Sequence, residues 1–141
     1  MKINVFYDKE LNWLKIPVTL KTAHKRISAF IVFDTGSPNT LLNYLDSRRL
    51  NIPFIEPSEF IRIGGNKYHS YSYNKIDFLF KTQEGELYSE TIPVKILRPT
   101  LKSEELEELD NFPNLLGLNF LKEGWKFHCD IKNNEIYFEK D

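Results

Sequence analysis

The chain has 141 residues, is 41% hydrophobic, and carries a formal net charge of −1 with a pI near 6.3. That length and apolar content suit one domain, residues 1–141, with a sizeable core. The near-neutral balance leaves only small basic groups such as Lys25-Arg26 and Arg48-Arg49 and no phosphate-binding footprint. No apolar run approaches a membrane span, so neither nucleic acid nor membrane is an expected partner.

The first residues, MKINVFYDKELNWLK, carry charges throughout, which argues against a secretory leader. Cys129 is the single cysteine; it excludes an internal disulfide and favours a reducing, cytoplasmic setting. Leu14–Leu20 and Ile27–Phe33 are β-rich runs separated by KTAHKR and read as a hairpin. The second run is apolar on both alternating sets, as for a strand buried on both sides. Asn43 is placed to cap a short helix through Leu50, with Asp46 near its positive end and Ile52-Pro53 stopping it.

Phe60–Phe80 alternates polar and apolar residues around Gly64-Gly65, with Ile76, Phe78 and Phe80 on one face. A further hairpin is expected to join Phe78–Lys81 to Ile92–Leu97 through QEGE. Pro99–Pro113, with its acidic SEELEELD, reads as an exposed loop. NLLGLNFL, residues 114–121, is expected to end in a short helix before Gly124. WKFHCDIKNNEIYFEKD closes the chain as a hairpin turning at Asn133-Asn134. Phe127, Cys129 and Ile131 share a face there, so Cys129 is expected to be a buried structural thiol. The fold class is all-β, mainly antiparallel, with one or two short helices.

Chemistry concentrates in FIVFDTGSPNTLL, residues 30–42. An apolar strand delivers Asp34 to a turn, and an unpartnered buried charge is costly. One reading is a turn-capping Asp at the surface. The other is a prepared carboxylate: Gly36 frees backbone torsions and exposes peptide N–H groups, while Thr35 and Ser37 supply hydroxyls. His24, His69 and His128 lack metal-ligand spacing, and IGGNK lacks the rest of a P-loop. Neither a metal nor a cofactor is expected.

The segment resembles the active-site stretch of the retropepsin-like aspartic proteases, whose signature is Asp-Thr/Ser-Gly after an apolar strand. The resemblance extends over roughly residues 14–139. A short helix follows the signature (NYLDSRRLNI), then a glycine-bearing flap hairpin (FIRIGGNKYHSYSY). Further on come two apolar residues and a glycine, Leu115-Leu116-Gly117, a short helix, and a closing hairpin. It implies a retropepsin-like β-barrel or sandwich with catalytic Asp34, active-site loop support from Thr35, Gly36 and Ser37, and a flap at Ile63, Gly64 and Gly65. In that family Thr35 would bond across a dimer axis. Two departures stand out: Leu118 replaces the Arg usual in retroviral members, and Asn119 stands where an acidic residue is frequent. SEELEELD looks like an insertion.

The family's mechanism needs two carboxylates, and only Asp34 is followed by Thr/Ser-Gly. The resemblance therefore implies a homodimer with one Asp34 from each copy and a peptide or protein substrate. Two other readings stand beside this endopeptidase. One is a catalytically silent dimer that binds peptides by β-addition. The other is a regulatory domain with its groove blocked by the acidic insertion.

Overall fold

The computed structural model describes residues 1–53, 59–63, 66–99 and 112–141. Among the described residues the strands are β1 (Lys2–Asn4), β2 (Phe6–Asp8), β3 (Trp13–Lys21), β4 (Arg26–Phe33), β5 (Thr40–Leu42), β6 (Glu59–Ile63), β7 (Asn66–Tyr73), β8 (Asp77–Lys81), β9 (Leu87–Thr91), β10 (Val94–Pro99), β11 (Asn114–Leu116), β12 (Lys126–Asp130) and β13 (Glu135–Glu139). Helix α1 (Tyr44–Arg49) follows β5, and a 3₁₀ helix (Leu118–Glu123) follows β11. The architecture is all-β and mainly antiparallel.

One long sheet runs in hydrogen-bonded order β6-β7-β10-β5-β11-β4-β3-β8-β9, with β2 beside β3. Its parallel pairs are β10 with β5 and β11 with β4. A small sheet, β1-β13-β12, joins the two chain ends: the Met1 amino group donates to the Lys140 carbonyl at 3.1 Å, and the Lys140 N–H to Met1 at 2.9 Å.

Local sequence explains the layout. In β3, Ile16, Val18 and Leu20 point inward and alternate with Lys15, Pro17, Thr19 and Lys21. Pro17 has no N–H to give a ladder. It falls where β2 has stopped pairing, at Lys15, and β8 has not begun, at Thr19. Helix α1 starts as its sequence dictates: the Asn43 side chain accepts from the Asp46 N–H at 2.8 Å. It ends at Leu50, and Asn51 turns the chain with φ 55°.

The core joins the sheets through aromatic rings. Phe120 stacks on Trp125 with centroids 5.3 Å apart and meets Phe138 edge-on at 5.0 Å. Phe33, at the end of β4, contacts both Phe127 and Phe138. Each fully buried Phe contributes about 1.5–3 kcal/mol, which anchors the end of β4 firmly. A second, smaller cluster comprises Val32, Leu41, Tyr68, Leu97 and Leu115.

Three expectations need correction. The strand facing β8 is β9, not Ile92–Leu97: Lys81 pairs with Leu87 and Asp77 with Thr91. The IPVKIL stretch instead supplies β10, which lies between β7 and β5. NLLGLNFL does end in a short helix as expected: Asn114–Leu116 is a strand and Leu118–Glu123 the 3₁₀ helix, closed by Gly124 at φ 98°. β4 is buried on both faces only at Ile31–Phe33; Phe30 is exposed. Cys129 is exposed too, as is Ile131. β12 is the edge of the small sheet, and the core under β13 reaches Phe127 but not the far end of β12.

Candidate active site

β11 inserts between β4 and β5, so those two strands are not neighbours. Their connection, residues 34–39, must cross the end of β11, and this crossing builds the site. Asp34 follows directly on β4, half-buried, with Thr35 and Gly36 exposed beyond it. The Asp34 N–H donates to the Leu116 carbonyl at 3.0 Å, continuing the ladder in which Leu116 faces Phe33. The Ser37 N–H donates back to the Asp34 carbonyl at 3.1 Å and closes the turn.

The carboxylate is held from within this turn. The Gly36 N–H donates to Asp34 Oδ1 at 2.8 Å. A Cβ on Gly36 would stand 3.1 Å from that same oxygen. Space for the carboxylate, rather than a left-handed torsion, is what the glycine supplies: the positive-φ glycines among the described residues are Gly85 and Gly124. The Ser37 hydroxyl does not reach Asp34; it donates to the Asn39 carbonyl at 2.6 Å and fixes the second half of the loop.

Gly117 locks the crossing. A Cβ there would lie 2.2 Å from the Asn39 oxygen and 2.7 Å from the Ser37 oxygen, so the two chain segments touch backbone to backbone. The following N–H groups complete the junction, Leu118 donating to Ser37 at 2.8 Å and Asn119 to Pro38 at 3.2 Å. Thr40, fully buried, donates through Oγ1 to Asn119 Oδ1 at 2.7 Å and accepts the Gly117 N–H at 3.2 Å. Asn119 Nδ2 donates in turn to the Pro93 carbonyl at 3.0 Å. Asn119 thus does structural work at its position as an amide.

Leu115 and Leu116 point in opposite directions, as neighbours on a strand must. Leu116 enters the main core, and Leu115 joins the smaller cluster with Val32, Leu41 and Tyr68. Ile61 and Ile63 pack on that cluster, so the β6–β7 hairpin covers the Leu115 side of the sheet. Ile63 pairs with Asn66; Gly64 and Gly65 lie outside the described residues, as does most of the 99–113 segment. Tyr68 and Tyr71 are buried strand residues, and the Tyr71 hydroxyl donates to the Pro53 carbonyl at 3.3 Å. Burial raises the pKa of that hydroxyl.

Beneath the loop lies a polar network that sequence reasoning found only in part. Asp46 Oδ1 accepts from Arg49 Nη1 at 2.6 Å, and Oδ2 accepts from Asn114 Nδ2 at 2.7 Å. Asn114 Oδ1 accepts the Asn43 N–H at 2.8 Å. Asn43 and Asp46 are legible as a helix cap. Asn114 is not, because its partners are 68 and 71 positions away.

No family profile matches the chain, and no curated protein matches it in sequence. Solved structures do match. A retropepsin-like aspartic protease from Rickettsia conorii superposes with a TM-score of 0.60, covering 99% of this chain and 91% of that one at 16% identity. The EIAV protease, in complex with an inhibitor, superposes with a TM-score of 0.51, covering 84% of this chain and 93% of that one, again at 16% identity. The likeness establishes the fold: the chain is built on the retropepsin-like plan.

Proposed function

We propose that the protein is an aspartic endopeptidase whose active form is a symmetric homodimer with one Asp34 from each copy. The observation that carries this reading is the Asp34 turn itself. A carboxylate stands at the end of a buried strand, oriented by the Gly36 N–H, in a loop wedged shut by Gly117. Thr35, exposed beside it, is available to a second copy. The retropepsin-like fold of the chain lends further support.

In the proposed dimer the two Asp34 carboxylates lie close together and share one proton, because two adjacent charges repel. Their titration then belongs to the pair. The ionised Asp34 takes a proton from a water molecule as its oxygen attacks the scissile carbonyl carbon. The protonated Asp34 hydrogen-bonds the carbonyl oxygen and stabilises the charge forming there. Collapse of the tetrahedral intermediate breaks the C–N bond, and the departing amine takes up a proton. The β6–β7 hairpin, packed through Ile61 and Ile63 beside Leu115, closes over an extended peptide. The site of action proposed is the cytoplasm.

The test compares wild type with Asp34→Asn on a mixed peptide library from acidic to neutral pH. The substitution keeps side-chain shape and removes the ionisable group from both copies. Loss of general acid–base function costs about 10²–10⁴-fold in rate, and here both partners are lost. Wild-type cleavage that vanishes in Asp34→Asn supports the reading. Equal cleavage by both removes Asp34 from the chemistry, and peptide binding without cleavage by wild type favours a silent binding dimer.

A further inference from the structure

Asp46 is a buried carboxylate that the proposed chemistry leaves unused, and its partners lead toward Asp34. Arg49 Nη1 donates to one oxygen at 2.6 Å and Asn114 Nδ2 to the other at 2.7 Å. Both donors also reach β4. Arg49 Nη2 donates to the Ser28 carbonyl at 3.2 Å, and Asn114 Nδ2 to the Phe30 carbonyl at 3.2 Å. The remaining Asn114 oxygen takes the Asn43 N–H at the start of α1. Helix, β4 and the first residue of β11 are thus tied by hydrogen bonds, two of them to a carboxylate and stronger for it. A satisfied network of this kind, buried at Asp46 and Asn114 with Arg49 at its exposed rim, selects one arrangement over its neighbours.

That selection matters because β11 is only three residues long. Asn114 faces Ile31, Leu115 faces Val32 and Leu116 faces Phe33. So short a ladder holds its register weakly. A slip of one residue would exchange Leu115 and Leu116 between the two apolar clusters. It would also withdraw the Leu116 carbonyl from the Asp34 N–H. We propose that Asn114, gripped by the Asp46 carboxylate, is a positioning residue for Asp34: it sets the register of β11 and so the place where the Leu116 carbonyl receives the Asp34 N–H. The catalytic half of this inference rests on the proposed protease function; the positioning half does not.

The experiment uses the full chain in three forms: wild type, Asn114→Asp, and the exchanged pair Asn114→Asp with Asp46→Asn. The single change sets two carboxylates against each other. The exchange restores one amide and one carboxylate across the 46–114 contact, but not the bond to the Phe30 carbonyl, where a carboxylate has no hydrogen to donate. Backbone hydrogen exchange is followed at Asp34 and, as a reference in the core, at Phe78 and Phe80. The expected result is an Asp34 amide exchanging at least about tenfold faster in Asn114→Asp, reference amides within about twofold, and partial recovery in the exchanged pair, which regains the 46–114 contact alone. On the library peptide that wild type cleaves best, kcat should fall about tenfold in Asn114→Asp with KM within about twofold, and recover likewise. Should Asn114→Asp fail to fold, Asn114→Ser replaces it with the same expectations. An unchanged Asp34 amide, or equal acceleration of the Asp34 and reference amides, overturns the proposal. If wild type cleaves no peptide, the protease reading fails while the exchange data still decide the positioning role.

Discussion

Replacing Gly117 by Ala adds one methyl group at a junction with no room for it. The backbone there has φ −95° and ψ −177°, which alanine adopts freely, so the effect is steric alone. The new Cβ would fall 2.2 Å from the Asn39 oxygen, 2.4 Å from the Asn39 carbon and 2.7 Å from the Ser37 oxygen. These are backbone atoms and cannot rotate aside. The segments must separate by an ångström or more, on the order of the missing contact distance, and overpacking of this kind costs about 1–3 kcal/mol. Separation also strains the Leu118-to-Ser37 and Asn119-to-Pro38 hydrogen bonds, each worth about 0.5–1.5 kcal/mol. The sum, about 2–6 kcal/mol, is a large share of a typical domain's 5–15 kcal/mol. Thermal unfolding by circular dichroism should show Tm lowered by about 10–20 °C, with any surviving fold inactive on peptides. Gly85→Ala is the contrast: φ is +90° but nothing lies within 4 Å, so only torsional strain of about 1 kcal/mol is incurred. A Gly117→Ala protein melting within about 2 °C of wild type would refute the argument that backbone contact locks the loop.

Thr40→Val keeps the side-chain shape but strips the Gly117 N–H and Asn119 Oδ1 of their buried partner. It should lower stability by about 1–3 kcal/mol in urea unfolding, and a change below about 0.5 kcal/mol would contradict the role assigned to Thr40. Acid should loosen the β6 edge. Glu59 is held below its ordinary carboxylate range by its hydrogen bond from Lys95 and then by that residue's charge. The tie is therefore complete above pH 4.5, the ordinary value, and is lost as pH falls through the lower folded-state pKa. After correction for intrinsic rates, β6 amides should exchange faster relative to the core as pH drops below that value, and Lys95→Met should remove this step. An acid step that persists in Lys95→Met would exclude the pair as its cause.

The parts of this fold readable in sequence are those whose signals are local. Asn43 three residues before Asp46, with Ile52-Pro53 beyond, marks α1 almost to the residue. Asp34 after four apolar residues, with Gly36 behind it, marks the turn, although the reason for the glycine is space and not torsion. Signals fail where an element's environment is set by distant chain. LYSET is a mostly polar edge strand with Glu90 alone buried, so IPVKIL looked like the better partner for β8. Cys129 sits opposite the buried Ile136, but on an edge that nothing among the described residues covers. Asn114 before two leucines carries no local mark of its link to Asp46, because only the insertion of β11 between β4 and β5 brings them together.

The central claim is that one active site needs two copies of Asp34. Mixing wild type with Asp34→Asn at fixed total concentration, after full subunit exchange, tests it through the rate of peptide cleavage against the wild-type fraction. If the site is shared across a two-fold axis, every mixed dimer has a single carboxyl group and cannot divide the acid and base roles. Activity should then follow the square of the wild-type fraction, about a quarter of full activity at equal mixing. Activity proportional to the wild-type fraction itself would mean that each chain works alone, and would contradict the shared dyad.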